Sequence, residues 1–285
     1  MTSMRVGRIP YINCYPVYGA IDRGIVPLDG TLVDGVPTAL NALMANGLLD
    51  VSVISAIEYA RASHRYLLLP NLAISCDGPV RSVLLFSRVP ADELGGRQVI
   101  VSTSSMTSVA LLQLLFDNVW CCRPEFVPGN AELSDVRAAS QGEGDARLVI
   151  GDAALYLGQA QSAPRLGGIA PHPYVYDLGA EWKQWTGLPF VFAVWVASRS
   201  APAVKALGVH ASLIASRDWG LENIQLIAEH ASEVTSFPIP ICEQYLTGLD
   251  YALSYEHLAG LTDFFRRLVG AGRVPNGTLA FLSAA

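Results

Sequence analysis

Residues 99–116, "VIVSTSSMTSVALLQLLF", decide the fold. An apolar, β-branched run ends in a group of Ser and Thr residues, and a second apolar run follows at once. Val and Ile favour strands, whereas Val109, Leu112 and Phe116 recur at the three- and four-residue spacing of a helix face. The stretch therefore predicts a strand, a short polar loop and a helix in direct succession.

The same order recurs along the chain. Short apolar runs again lead into small polar residues and then into helical patterns, at "RVGRI" (5–9), "LDVSVIS" (49–55) and "ARLVIGD" (146–152). Repeated strand–loop–helix units predict an α/β protein with mostly parallel strands. Gly-Pro and Gly-Leu-Pro turns precede apolar runs near residues 83 and 190. If the chain crosses between two lobes there, the middle segment forms one lobe and the two ends form the other, with a cleft between them.

Composition limits the classes of partner. The net charge is −6 and no basic patch is present, which argues against nucleic acid. No apolar run approaches the roughly 20 residues of a membrane span. The N-terminus lacks the pattern of a secretory signal, so a cytoplasmic location is expected. The five cysteines form no C-x-x-C pair, which predicts reduced thiols and no zinc site.

The cluster of Ser and Thr residues after residue 102 could bind an anion. The first turn of a helix leaves backbone N–H groups without partners, and the helix dipole adds positive charge there. A carboxylate or phosphate can bind such a site without Lys or Arg. Further donors would come from Thr103, Ser104, Ser105, Thr107 and Ser108. The alternative is ordinary capping, for which one Ser would suffice.

Other junctions carry polar residues of the same kind. Asn13 follows the first strand, and its amide could hold a hydroxyl or carboxylate, or could simply form a turn. Ser55 is a ligand donor or an N-cap. Asp152, after Gly151, is a base, an acceptor for a ligand hydroxyl or a helix cap. Ser82 stands where an apolar run begins. Cys14 is a small buried thiol or, less simply, a nucleophile.

Standard catalytic motifs are missing. The five His residues are scattered without metal spacing, and the chain has no P-loop, nucleophile elbow or dinucleotide fingerprint. Chemistry at the junctions would therefore depend on neutral donors and on the substrate's own groups.

Taken in order, the junctions resemble those of a known family. The segments "GRIPYINCYPV", "VPTALNALMANGLLDVSVISAIEYA", "GPVRSVLLFSR", "STSSMTS", "IGDAAL" and "DLGAEWKQWTGLPFVFAVW" are similar to chorismate dehydratases of the futalosine route to menaquinone. The resemblance spans nearly the whole chain.

The resemblance implies a two-lobed fold like that of type II periplasmic binding proteins, with lobe 1 at 1–83 and 190–285 and lobe 2 at 84–189. It also implies removal of water from chorismate, a dicarboxylate, with no metal and no organic cofactor. Asn13 would orient the departing hydroxyl, and Asp152 or the enolpyruvyl carboxylate of the substrate would be the base. Substrate binding would involve Tyr11, Ser55, Ser82, Ser104, Ser105, Thr107, Ser108 and Gly151.

Three other functions compete with this one. The later pathway enzyme acting on cyclic dehypoxanthine futalosine typically starts with an S-P-C-P-N-D-T-like motif, where this chain has "PYINCYP". A solute-binding protein would need a secretion signal, and the effector lobe of a regulator would need a helix-turn-helix segment. The sequence leaves the oligomeric state open.

Overall fold

The computed structural model describes residues 3–129, 144–162 and 172–283. The chain divides into two compact units. Unit 1 combines Met1–Ser75 with Val191–Ala285, and unit 2 is Cys76–Phe190. The predicted lobe boundaries at 83/84 and 189/190 stay a prediction.

Strands and helices alternate along most of the chain, as predicted for an α/β protein. The strands are β1 Met4–Arg8, β2 Gly30–Asp34, β3 Val51–Ser55, β4 Tyr66–Cys76, β5 Val83–Ser87, β6 Gln98–Ser102, β7 Glu125–Gly129, β8 Ala146–Ile150, β9 Tyr174–Asp177 and β10 Phe190–Ser198. The α-helices are α1 Tyr15–Asp22, α2 Pro37–Ala45, α3 Ala56–Ala62, α4 Met106–Asn118, α5 Gly151–Ser162, α6 Leu178–Thr186, α7 Ala203–Glu222, α8 Ile224–Thr235, α9 Ile239–Thr247 and α10 Tyr255–Gly270. Short 3₁₀ turns are Ile12–Cys14, Ser63–Arg65 and Ala91–Glu93. The α/β prediction is confirmed.

Among the described residues, each unit holds one five-stranded sheet. In unit 1 the order is β2-β1-β3-β10-β4, with β1 parallel to β2 and β3 and with β10 antiparallel to β3. In unit 2 the order is β7-β6-β8-β5-β9, with β6 parallel to β7 and β8 and with β5 antiparallel to β8 and β9. Parallel pairs are therefore present in both sheets, and the antiparallel pairs of β5 and β10 make both sheets mixed.

The core of unit 1 joins α1 to the sheet through a buried polar contact. The Trp195 indole N–H donates to the Tyr18 hydroxyl at 3.0 Å, and this hydroxyl donates to the Gly7 carbonyl at 3.1 Å. All three groups are thereby satisfied within the core, as buried polar atoms require. The contact fixes α1 against β1 and β10.

Helix α10 is amphipathic. Leu261, Phe264 and Leu268 are buried, whereas Tyr255 at its start is exposed. The chain after α10 returns to the sheet of unit 1, where Phe281 pairs with Leu68 of β4. Within the three described stretches, no helix is long and apolar enough to cross a membrane.

Candidate functional site

In unit 1, the predicted residues gather at one edge of the sheet. β1 and β3 are parallel neighbours, with Val6 opposite Val51. Their carboxyl ends therefore lie at the same edge, which is where ligands bind in open α/β sheets. Tyr11 and Asn13 follow β1, and Ser55 is the last residue of β3.

Asn13 lies in the 3₁₀ turn Ile12–Cys14, whose two end residues are buried. The Asn13 Oδ1 atom is itself buried and accepts no hydrogen bond from any residue that the structure describes. A buried carbonyl oxygen without a donor costs free energy, and such atoms are uncommon in folded proteins. This oxygen is chemically able to accept one more hydrogen bond, and contact of Asn13 with a ligand stays a prediction.

Ser55 is held by Asn41, a residue that the sequence analysis did not select. The Ser55 backbone N–H donates to Asn41 Oδ1 at 3.1 Å, which orients the Asn41 amide so that its Nδ2 donates to Ser55 Oγ at 2.9 Å. Both side chains are buried. Because Ser55 Oγ accepts this bond, its own proton remains available for a ligand oxygen. Ser55 occupies the N-cap position of α3 without making a capping bond through its side chain.

In unit 2, three predicted segments meet at one edge. β6 is parallel to β8, and β5 is antiparallel to β8 with Val83 opposite Ile150. The carboxyl ends of β6 and β8 therefore lie beside the amino end of β5. Ser82 precedes β5, and its carbonyl accepts a 2.7 Å hydrogen bond from the Gly151 N–H. Gly151 has a φ of +61°, a conformation that favours glycine and turns the chain from β8 into α5.

The cluster of Ser and Thr residues after β6 lies at the start of α4. Ser105 is the N-cap, and its Oγ accepts from the Ser108 N–H at 3.3 Å. The Ser105 hydroxyl donates in turn to Ser108 Oγ at 2.7 Å, which leaves the Ser108 proton to donate elsewhere. Thr107 and Ser108 are buried, whereas Ser104 is half-buried. Helix capping thus explains the presence of Ser105, and anion binding by the cluster of Ser and Thr residues stays a prediction.

Asp152 is half-buried in the first turn of α5, and its Oδ1 atom is fully buried. A carboxylate in the first turn is favoured by the helix dipole. This position suits a role in stabilising the start of the helix, and the role of Asp152 as a base stays a prediction.

Asp177 positions the loop before Ser82, and the sequence analysis did not select it either. Its carboxylate accepts backbone N–H bonds from Val80 at 3.0 Å and Arg81 at 2.6 Å. It also caps α6 by accepting from Gly179 at 2.9 Å and Ala180 at 3.1 Å. Burial raises the pKa of Asp177 above its ordinary value, although the four N–H bonds act in the opposite direction.

Both omitted residues had weak signals in the sequence. Asn41 stands beside Leu40 on the apolar face of α2, where a polar residue needs a partner. Asp177 directly precedes a helical pattern, as an N-cap does. Neither signal identifies the partner. Across the residues with described positions, no three His, Cys, Asp or Glu side chains are grouped as metal ligands.

Sequence comparisons agree on one family. Residues 4–269 match a family model described as menaquinone biosynthesis. A chorismate dehydratase of Thermus thermophilus is 32% identical over 269 residues, which cover 91% of this chain and 95% of that protein. A 1,4-dihydroxy-6-naphtoate synthase of the same organism is 29% identical over 204 residues, which cover 70% of this chain and 67% of that protein.

Solved structures support the fold. A protein of Archaeoglobus fulgidus is similar with a TM-score of 0.76 at 17% identity, covering 95% of this chain and 98% of that one. The periplasmic aliphatic sulphonate binding protein SsuA of Escherichia coli has a TM-score of 0.62 at 16% identity, covering 97% of this chain and 94% of that one. The predicted periplasmic-binding-protein-like fold is confirmed.

Proposed function

The chain belongs to the menaquinone biosynthesis family, and from this premise we propose that it is a chorismate dehydratase. The observation that carries the proposal is the 32% identity to the Thermus enzyme over 91% of this chain. The reaction is a hydro-lyase reaction, in which chorismate loses one water molecule to give 3-(1-carboxyvinyloxy)benzoate.

The chemistry requires a proton and a hydroxyl to leave adjacent ring carbons. Loss of the ring proton places negative charge on carbon, and this charge spreads through the diene to the ring carboxylate. Expulsion of the hydroxyl then makes the ring aromatic. Donors that hold the carboxylate therefore stabilise charge as it develops, which is where electrostatic catalysis is most effective.

Asn13 is proposed to orient the departing hydroxyl. The buried Oδ1 atom accepts no bond from the described residues, so the substrate hydroxyl can donate to it. The Asn13 amide N–H groups can donate to the same oxygen or to a neighbouring one. Ser55, with its proton free of Asn41, adds a further donor at the same edge of unit 1.

The cluster of Ser and Thr residues at the start of α4, in unit 2, is proposed to bind a carboxylate. Ser108 retains a proton to donate, and Ser104, Ser105 and Thr107 surround the first turn of α4. Ser82 and Gly151 lie at the same sheet edge. Neutral hydroxyls and helix N–H groups can bind an anion without a Lys or Arg partner.

Two bases are compatible with this proposal. One is Asp152, which follows Gly151 in the first turn of α5. The other is the carboxylate of the substrate's enolpyruvyl group, whose ether oxygen is bonded to the carbon that loses the proton, so this carboxylate can act intramolecularly. An Asp152→Asn variant that keeps its activity would support the substrate carboxylate.

A direct assay tests the proposal. Purified protein is incubated with chorismate, and the product is followed by ultraviolet absorbance and by mass. We expect an aromatic product lighter than chorismate by one water. Asn13→Ala should lower kcat far more than it weakens product binding. Unchanged chorismate in the presence of folded wild-type protein would contradict the proposal.

A further inference from the structure

Tyr251 is a buried tyrosine that the function proposed above does not use. It follows α9 in an extended segment beside β4. Its carbonyl accepts from the Ala73 N–H at 3.2 Å, and the preceding residue Asp250 forms an antiparallel bridge with Ser75. These backbone bonds fix the position of Tyr251, which is only 3% exposed.

The hydroxyl of Tyr251 is buried and has no hydrogen-bond partner among the residues that the structure describes. Three other buried tyrosines of unit 1 differ. The Tyr18 hydroxyl donates to Gly7, that of Tyr59 donates to Thr278, and that of Tyr66 donates to Glu58. A buried phenol without a partner costs stability, and its presence in a folded protein calls for an explanation.

The position of Tyr251 relates it to Asn13. Helix α9 packs against the turn Ile12–Cys14, which contains Asn13. The Tyr245 and Cys14 side chains lie close enough to Tyr251 to act on its phenol electrostatically. Burial, the largest cause, raises the pKa of Tyr251 well above its ordinary value, so the phenol is neutral and can donate. Unit 1 thus places an unsatisfied acceptor, Asn13 Oδ1, and an unsatisfied donor in one region.

We propose that the Tyr251 hydroxyl donates a hydrogen bond to an oxygen of the bound ring acid, and that Tyr251 is a specificity-determining residue of the same site as Asn13. This inference rests on the proposed function. A buried donor that only the substrate satisfies rejects analogues lacking the matching oxygen, because the donor then stays unpaired. The free protein tolerates the unpaired group, which is a usual compromise between stability and activity.

The test compares Tyr251→Phe with a matched control, Tyr59→Phe. For Tyr251→Phe we expect the Tm without substrate to be unchanged or higher, because no hydrogen bond is lost. We expect its kcat/KM for chorismate to fall by about 10- to 100-fold, the usual effect of losing a buried bond to a charged or strongly polar oxygen. Tyr59 bonds to Thr278 and Ala280, so Tyr59→Phe should lower the Tm and leave kcat/KM within about threefold.

Two results would overturn the inference. A lower Tm for Tyr251→Phe would mean that the hydroxyl already has a partner in the free protein, such as a buried water. An unchanged kcat/KM would mean that the substrate does not contact it. Wild-type protein that leaves chorismate unchanged would instead contradict the proposed function, and the Tm comparison would still decide whether the hydroxyl is unsatisfied.

Discussion

Gly220 of α7 packs directly against α1, and replacing it with Ala should destabilise the protein. A Cβ atom at this position would lie 2.2 Å from the carbonyl oxygen of Pro16 and 2.7 Å from its Cα. Both atoms belong to the backbone of α1 and cannot rotate away. Gly208 lies on the same helix, and a Cβ there would have no described atom within 4 Å.

The two substitutions should change the free energy of unfolding in opposite directions. In a helix interior, Ala is favoured over Gly by about 0.8–1 kcal/mol. Gly208→Ala should therefore raise the free energy of unfolding by up to about 1 kcal/mol. At Gly220 the same gain is exceeded by the overlap with α1, since overpacking typically costs about 1–3 kcal/mol and backbone contacts lie at the upper end. The variants should thus differ by roughly 3 kcal/mol, or about 6–12 °C in Tm.

Urea unfolding followed by far-ultraviolet circular dichroism measures this difference, with Tm as a second readout. A kinetic readout is also available, because α1 begins two residues after Asn13. Gly220→Ala should lower kcat for chorismate, and Gly208→Ala should leave it unchanged. Helix propensity alone predicts that both variants are more stable than wild type. A Gly220→Ala protein at least as stable as wild type would therefore refute the packing argument.

Three further substitutions test contacts elsewhere in the fold. Asn41→Leu should lower the free energy of unfolding by about 2 kcal/mol in urea, because it leaves the buried Ser55 N–H unpaired; a change below about 0.5 kcal/mol would contradict this. Asp177→Asn should cost about 2–4 kcal/mol in the same assay, since an amide cannot accept all four N–H bonds, and wild-type stability would refute it. Hydrogen bonds from Arg5 hold the pKa of Asp50 below its ordinary value, so Asp50 stabilises the fold above about pH 4 and loses this effect as the pH falls. The stability difference between wild type and Asp50→Asn should therefore shrink from pH 7 to pH 3, and a constant difference would contradict the assignment.

The sequence was sufficient for the local elements of the fold. The transition from a β-branched run through polar residues to a helical spacing is a property of neighbouring residues. It correctly predicted β6 with α4, β3 with α3, and β8 with α5. The gathering of their ends at sheet edges then follows from parallel pairing.

The contacts that orient the site could not be predicted in the same way. Asn41 reaches Ser55 across 14 residues, and Asp177 reaches Val80 across 97 residues. Tyr251 comes near Cys14 only because the C-terminal part of unit 1 packs on its N-terminal part. No periodicity encodes such pairs, since they depend on how distant segments pack.

The strand order of unit 1 has a consequence for folding while the chain is being translated. β10 lies between β3 and β4 in the sheet, yet it is translated more than a hundred residues after both. The emerging chain therefore carries a sheet that lacks one interior strand while all of unit 2 is being made. Domains form as the ribosome delivers them, so unit 2 can fold first, and the flanks of the gap must avoid pairing with other nascent chains until residue 198 leaves the exit tunnel.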